Sequence, residues 1–429
     1  MLHLIVHKGM SKIKSLVFIS LLILISSLSH AQSDSIKSDS TKKKLINRVD
    51  LSDSITINQD ALYNRPFIGL GRTGTALGGY IEGNTNYFME DGVTEGFSME
   101  LRRFNIFIFA ALGKRVRILT ELEFEHGTEE IALETAQIDY KLHEVLSFRA
   151  GILLPQIGMF NANHDSPKWD FVDRPLSSTM IIPSTLSEVG FGFFGKFYRS
   201  KWAFSYDAYL INGLQADIVL NEEGKTFIPA GKNEEMFGED NNGLPMVNAK
   251  FSVSHSKAGE LGLSYYGGVY NNFRVEGEQV DAKRNLSLFA LDITTKVNKF
   301  KLQGEYVYAL VDVPDDLEGL YGQKQWGGWI EINYTLLDKK IIFFDQSQLL
   351  FNIRMEKVDF NADKMNDPSG FVVETKLYDE ITALSVGFSI RTSSSLVFKG
   401  VYQYHWIRDL LGNPAARKAG FQFGLATYF

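Results

Sequence analysis

The chain has 429 residues, no cysteine, 22% charged residues and a formal charge of −7. The absence of cysteine excludes disulfide frameworks and thiolate metal sites. An acidic balance gives no reason to expect nucleic acid or another polyanion as partner.

The segment 1–31 is laid out as a secretory signal peptide. Basic Lys8, Lys12 and Lys14 precede an apolar run from Leu16 to Ile25, and Ser29-His30-Ala31 forms a small-x-small cleavage site before Gln32. Met10 is an alternative start that makes the signal more compact. The apolar run falls short of the roughly 20 residues a spanning helix needs. Cleavage removes three lysines and takes the charge from −7 to −10. Residues 32–70 read as a flexible periplasmic leader, most polar over Gln32–Asp60, with Lys42-Lys43-Lys44 as a solvated patch.

From 71 to 429 the chain is a train of alternating segments. Val116, Ile118, Thr120, Leu122 and Phe124 alternate with Arg117, Leu119, Glu121, Glu123 and Glu125. Trp202, Phe204, Tyr206, Ala208 and Leu210 alternate with Ala203, Ser205, Asp207 and Tyr209 in the same way. Sixteen such segments are predicted: 77–88, 97–111, 116–126, 130–142, 145–154, 187–198, 201–211, 246–256, 261–270, 286–297, 299–311, 324–336, 346–358, 379–391, 395–406 and 418–429. In the last, Phe421, Phe423, Leu425, Thr427 and Phe429 share one face. An even number of half-apolar strands predicts an all-β fold, a 16-stranded antiparallel transmembrane β-barrel in the bacterial outer membrane. The 32 Phe and 18 Tyr suit its two interfacial girdles. Terminal Phe429 resembles the signal read by the outer-membrane barrel assembly machinery. Short connections at 112–115, 143–144 and 298–299 are expected on the periplasmic side. Long ones at 155–186, 212–245, 271–285, 312–323, 359–378 and 407–417 are expected outside.

Barrels of 16–18 strands leave an aqueous channel, and a wet lumen removes the several kcal/mol that each unpaired charge would cost in a dry one. The expected wall charges are Arg102, Arg117, Glu121, Glu123, Arg149, Lys250, Lys301, Glu305, Arg354, Arg391 and Lys399. The connection 155–186 carries Pro155, Pro167, Pro175 and Pro183 and apolar residues that an exposed loop does not need. It is expected to fold inward as a constriction, bringing His164, Asp165, Lys168, Trp169, Asp173 and Arg174 to the pore.

Arg117–His126, Phe148-Arg149-Ala150-Gly151, Asn161–His164, Asp173-Arg174-Pro175, Ile181-Ile182-Pro183 and Gly190–Gly195 together resemble the phosphate-selective porin family, in its Bacteroidetes version. The likeness runs from about Leu77 to Phe429 and is densest over 97–212. It implies a trimeric 16-stranded channel narrowed by its third extracellular loop, with anion preference supplied by lumen arginines and lysines. Here the lumen carries as many carboxylates as cations, and Lys168 is the lone lysine of 155–186.

The function expected from the sequence is passive diffusion of small hydrophilic solutes or ions, including anions such as phosphate. No cofactor or metal is expected, and outer-membrane lipid and a homotrimer are the expected partners. One alternative is a largely closed barrel acting as adhesin or assembly scaffold through loops such as 212–245. Another is a barrel enzyme of the phospholipase kind. That reading finds five histidines after the signal, His126, His143, His164, His255 and His405. Ser254 and His255 point to opposite faces of a strand, so no nucleophile-base pair results.

Overall fold

The computed structural model describes residues 55, 57–70, 74–233, 237–341, 344–366 and 374–429. The signal and the first part of the leader lie outside them. Sixteen barrel strands follow one another: β1 Thr75–Glu90, β2 Val93–Leu112, β3 Val116–Glu125, β4 Glu130–His143, β5 Leu146–Leu153, β6 Glu188–Arg199, β7 Trp202–Ile211 and β8 Met246–His255. Then come β9 Gly259–Val269, β10 Asn285–Val297, β11 Phe300–Val311, β12 Lys324–Ile341, β13 Phe344–Asp359, β14 Glu380–Arg391, β15 Leu396–Arg408 and β16 Ala416–Tyr428. Each pairs antiparallel with its neighbour, and β16 closes on β1 from Glu90↔Lys418 to Tyr80↔Tyr428. The closed ring of ladders leaves the described wall without an open sheet edge along β16, as a lipid environment demands. Beyond the end of β16, the two-residue strand Ile68–Gly69 takes over the free edge of β1.

The predicted alternation holds along the wall. On β16, Phe421, Phe423, Leu425 and Phe429 face outward, while Gln422, Ala426 and Tyr428 are buried inside. Aromatic pairs lie on the outer face near both ends of the barrel as well as between them. Phe197–Phe204 and Phe104–Phe429 stack at the end where the chain termini of the barrel lie, and Tyr402–Phe421 and Tyr404–Trp406 pack near the other. Short turns gather at the first end, which is therefore periplasmic. Asn298 takes a positive φ in one of them. The first two extracellular turns are also short, and Asp91-Gly92 has positive φ at both residues, as a tight hairpin requires.

The hairpin β12–β13 runs further than predicted. Asp338-Lys339-Lys340 interrupts the alternation in sequence, but register shifts at Thr335/Leu337 and Lys339/Ile341 absorb the mismatch and pairing continues.

The leader expected to be flexible through residue 70 needs correction over 57–70. Ile57, Gln59, Leu62 and Arg65 are buried inside the barrel, because this stretch carries apolar anchors and hydrogen-bonding side chains that match the wall. Leu62 packs with Leu119 and Leu154, and Phe67 packs on Phe107 and Phe109.

Packing beside the closing seam is tight at Gly79, where a Cβ would lie 2.2 Å from the Asn105 carbonyl of β2 and 2.4 Å from the Phe429 ring. Gly79→Val is expected to displace Phe429 and cost about 1–3 kcal/mol by overpacking. A lowered fraction of heat-modifiable, folded barrel on gels would show it; an unchanged fraction would reject the tight fit.

Candidate functional site

The connection after β5, residues 154–187, does enter the barrel and crosses its lumen. Its apolar side chains account for the insertion. Phe160 lies 4.3 Å from Trp169 (ring centroids), and Trp169 meets Trp329 of β12 edge-on. Ile157, Ile181, Ile182 and Leu186 join a core with Leu288, Val307 and Ala309 on the inner wall. That core also takes in Leu214, Ile218, Val219 and Ile228 from the connection after β7, which thus packs over the loop. One side of the inner wall is therefore apolar and covered by chain. Part of the lumen expected to hold water is thus occupied by chain, because these apolar side chains bury surface against the wall.

The predicted wall charges mostly end on this loop or on each other. Lys250 binds the Gly158 carbonyl at 2.6 Å and Asp292 at 2.8 Å. Glu305 accepts from the Met159 amide and the Ser178 hydroxyl. Arg391 binds Asp170 and the Pro167 carbonyl, and Lys399 binds Ser166. Arg354 pairs with Glu356 and donates to the Asp173 carbonyl, with its guanidinium over the Phe171 ring. Lys301 sits in the field of Asp170 and Glu331. Arg149 grips Asp139 at 2.7 and 3.0 Å, and Arg117 reaches the same carboxylate at 3.2 Å. These two arginines, expected as charges of the pore wall, are thus fixed on Asp139 toward the periplasmic end.

Asp165 is the most heavily bonded loop residue. It accepts from Arg65 at 2.5 and 2.9 Å and from the Tyr428 hydroxyl at 2.6 Å, and it pairs with Lys168. Burial alone would raise its carboxyl, but the Arg65 guanidinium and the Lys168 ammonium hold it well below the usual range. Asp173 is lowered in the same way by Arg102, against its burial.

His164 directs one ring nitrogen to the Asn161 carbonyl at 2.9 Å and the other to Glu134 at 3.1 Å. Neither is left for a hydroxyl nucleophile. Glu121, Glu134 and His164 bring their ligand atoms within 4.8 Å of one another, so this triad could hold a metal ion. Arg65 at 2.7 Å from Glu121, together with a protonated His164, already supplies the opposing charge.

Above the loop, on the extracellular side, lies an open cavity of about 400 Å³. Arg102, Arg103, Arg174 and Arg354 line it, with Asp173, Glu356, His126, Gln403 and His405. Arg102 bonds Glu100 at 3.0 Å and Asp173 at 2.9 Å. Arg174 donates to Thr185 and the Ser184 carbonyl, and one of its buried nitrogens has no partner. Glu123 lies below, bonded to Asn105.

Alternation placed Arg102 on the inner wall but did not reveal Arg103, Glu134 or Arg65. Arg102 and Arg103 both face inward because β2 bulges where Glu82 pairs with Arg103 and Gly83 with Leu101. Glu134 enters through a second bulge, between Thr135 and Leu133 of β4. Arg65 belongs to the leader, where the apolar Ala61-Leu62-Tyr63 and Pro66-Phe67 were the one available signal.

No protein-family model matches the chain. An uncharacterized protein of Aquifex aeolicus (strain VF5) is 24% identical over 386 residues, covering 83% of each chain. Among solved structures, an anion-selective porin from Comamonas acidovorans matches with TM-score 0.51 at 10% identity, over 83% of this chain and 100% of that one. OmpT, an outer-membrane protein of Vibrio cholerae, matches with TM-score 0.50 at 11% identity, over 84% and 99%. These likenesses concern the fold. With the closed wall and its apolar outer band they place the chain in a bacterial outer membrane.

Burial would lower the His164 imidazole, yet the Glu134 and Glu121 carboxylates push it up to about 10. Its folded value exceeds the ordinary 6.5, so its share of loop docking is complete below about pH 6.5 and is lost as pH rises toward 10. The Tm of the purified barrel is expected to fall more steeply over that window than that of His164→Asn. Parallel curves would remove His164 from the docking of the loop.

Proposed function

We propose that the chain is an outer-membrane channel for small hydrophilic solutes, restricted by residues 154–187 and favouring anions at its extracellular entrance. The observation that carries this reading is the cavity on the outer side of the loop, where Arg102, Arg103, Arg174 and Arg354 converge. Arg102 is paired there with Glu100 and Asp173, Arg103 with Glu82 and Glu125, and Arg354 with Glu356, while Arg174 has no carboxylate of its own among the ion pairs of the described residues. Fixed guanidiniums in a concave, partly desolvated site attract anions and offer bidentate donors to oxyanions. Phosphate is one such solute. The fold likeness to an anion-selective porin supports the architecture this requires. Passage past the loop is passive, and trimeric assembly, with Phe429 as the signal read by the assembly machinery, belongs to the same reading.

A second reading draws on the filled lumen: a barrel largely closed by its own loop, presenting an outer surface to a partner. Planar-bilayer conductance separates the two, because a closed barrel passes no current. Deleting 160–180 is expected to raise conductance severalfold if the loop is the restriction. Equal currents before and after deletion would deny it that role.

Selectivity rests on named side chains. Arg103→Gln with Arg174→Gln is expected to move the reversal potential toward cations under a salt gradient. An unmoved potential would take the vestibule out of the selectivity filter.

A further inference from the structure

The loop does not fill the barrel alone. From the periplasmic side, residues 57–66 enter as a strap whose donors fall on wall carboxylates. The Asn58 amide binds Glu260 at 2.9 Å, and the Gln59 side chain binds Asp207 at 2.8 Å. The Tyr63 hydroxyl binds Asp139 at 2.6 Å, and Arg65 binds Glu121 at 2.7 Å. The recipients stand on β9, β7, β4 and β3, so the strap lies across this part of the lumen. It is also tied to the constriction loop: Asn58 donates to the Met159 carbonyl, Lys168 donates to the Ala61 carbonyl, and Arg65 forks onto Asp165. The Arg65 side chain is fully buried, with its guanidinium 3.9 Å from the centre of the Phe107 ring.

We propose that residues 57–66 are an intrachain plug that closes the periplasmic half of the pore and masks a band of wall carboxylates. This rests on the channel reading above and adds a state to it. With the strap seated, Glu121, Asp139, Asp207 and Glu260 spend acceptor capacity on its donors. With the strap withdrawn, Glu121, Asp207 and Glu260 face water and mobile ions and draw cations into the periplasmic half, while Asp139 stays paired with Arg149 and Arg117 and Lys196 loses Asp60. Losing Arg65 leaves Glu121 and Asp165 buried without their main cation, so one withdrawn side chain weakens both strap and loop. The strap is covalently joined to the barrel through residues 67–74, so release needs no dissociation and reseating is an intramolecular event.

The test is planar-bilayer recording of three full barrels: the unaltered chain, a deletion of 57–66, and the triple variant Gln59→Ala, Tyr63→Phe, Arg65→Ala. The triple variant keeps the chain length and decides the matter if the deletion does not assemble. The expected result is about threefold or more conductance and a reversal potential displaced toward cations in either altered barrel. Conductance and reversal potential equal to those of the unaltered chain would overturn the plug and leave the channel reading standing. Folded altered barrels that pass no current would also overturn the plug. The channel reading falls with it only if the 160–180 deletion is silent too.

Discussion

A peptide group facing lipid without a hydrogen-bond partner costs several kcal/mol, and the rest of this structure follows from meeting that demand with strands. Pairing β16 onto β1 removes the last free edge. The closure also sets a circumference of sixteen strands, and a barrel of that width cannot be filled by wall side chains alone. Something else must occupy the interior, whether water or chain. Here much of it is chain, supplied by residues 154–187, by the connection after β7 and by residues 57–66.

Occupation by chain changes what the inward charges do. In a water-filled tube, Lys250, Glu305, Arg391 and Lys399 would be solvated wall groups setting ion preference. In this lumen each is bonded to the backbone or a side chain of the inserted loop. Their solvation has been exchanged for fixed partners, a trade that nearly balances while both partners remain and becomes costly when one leaves. The inserted segments therefore have defined seats. The guanidiniums of the outer vestibule are paired as well, Arg102 with Glu100 and Asp173 and Arg103 with Glu82 and Glu125, but they border an open cavity rather than packed chain.

Much of the frame was legible in the sequence. Strand alternation located the sixteen wall segments to within a few residues, because a wall between lipid and lumen imposes a period of two on every strand. Phe421, Phe423, Leu425 and Phe429 could be placed outside from their spacing alone. The same rule put Arg102 inside but missed the residues that bulges add, Arg103 on β2 and Glu134 on β4. Arg102 and Arg103 share the inner face because one residue of β2 is left over between two pairings, and Glu134 does so on β4. A bulge is selected by the fit of neighbouring strands, and two adjacent polar residues in an otherwise strict alternation are its one trace in sequence.

By itself, then, the sequence determined the wall: its strands, its lipid face, its closing residue and its long outer connections. These depend on local periodicity, which a chain carries whether or not it is folded. The tertiary structure alone decided what stands inside that wall. That Arg65 meets Glu121 and Asp165, 56 and 100 residues away, and that Lys250 meets Gly158, 92 residues away, are consequences of closure. No periodicity encodes them, because contacts across a lumen exist only after the barrel has brought distant strands to face one another.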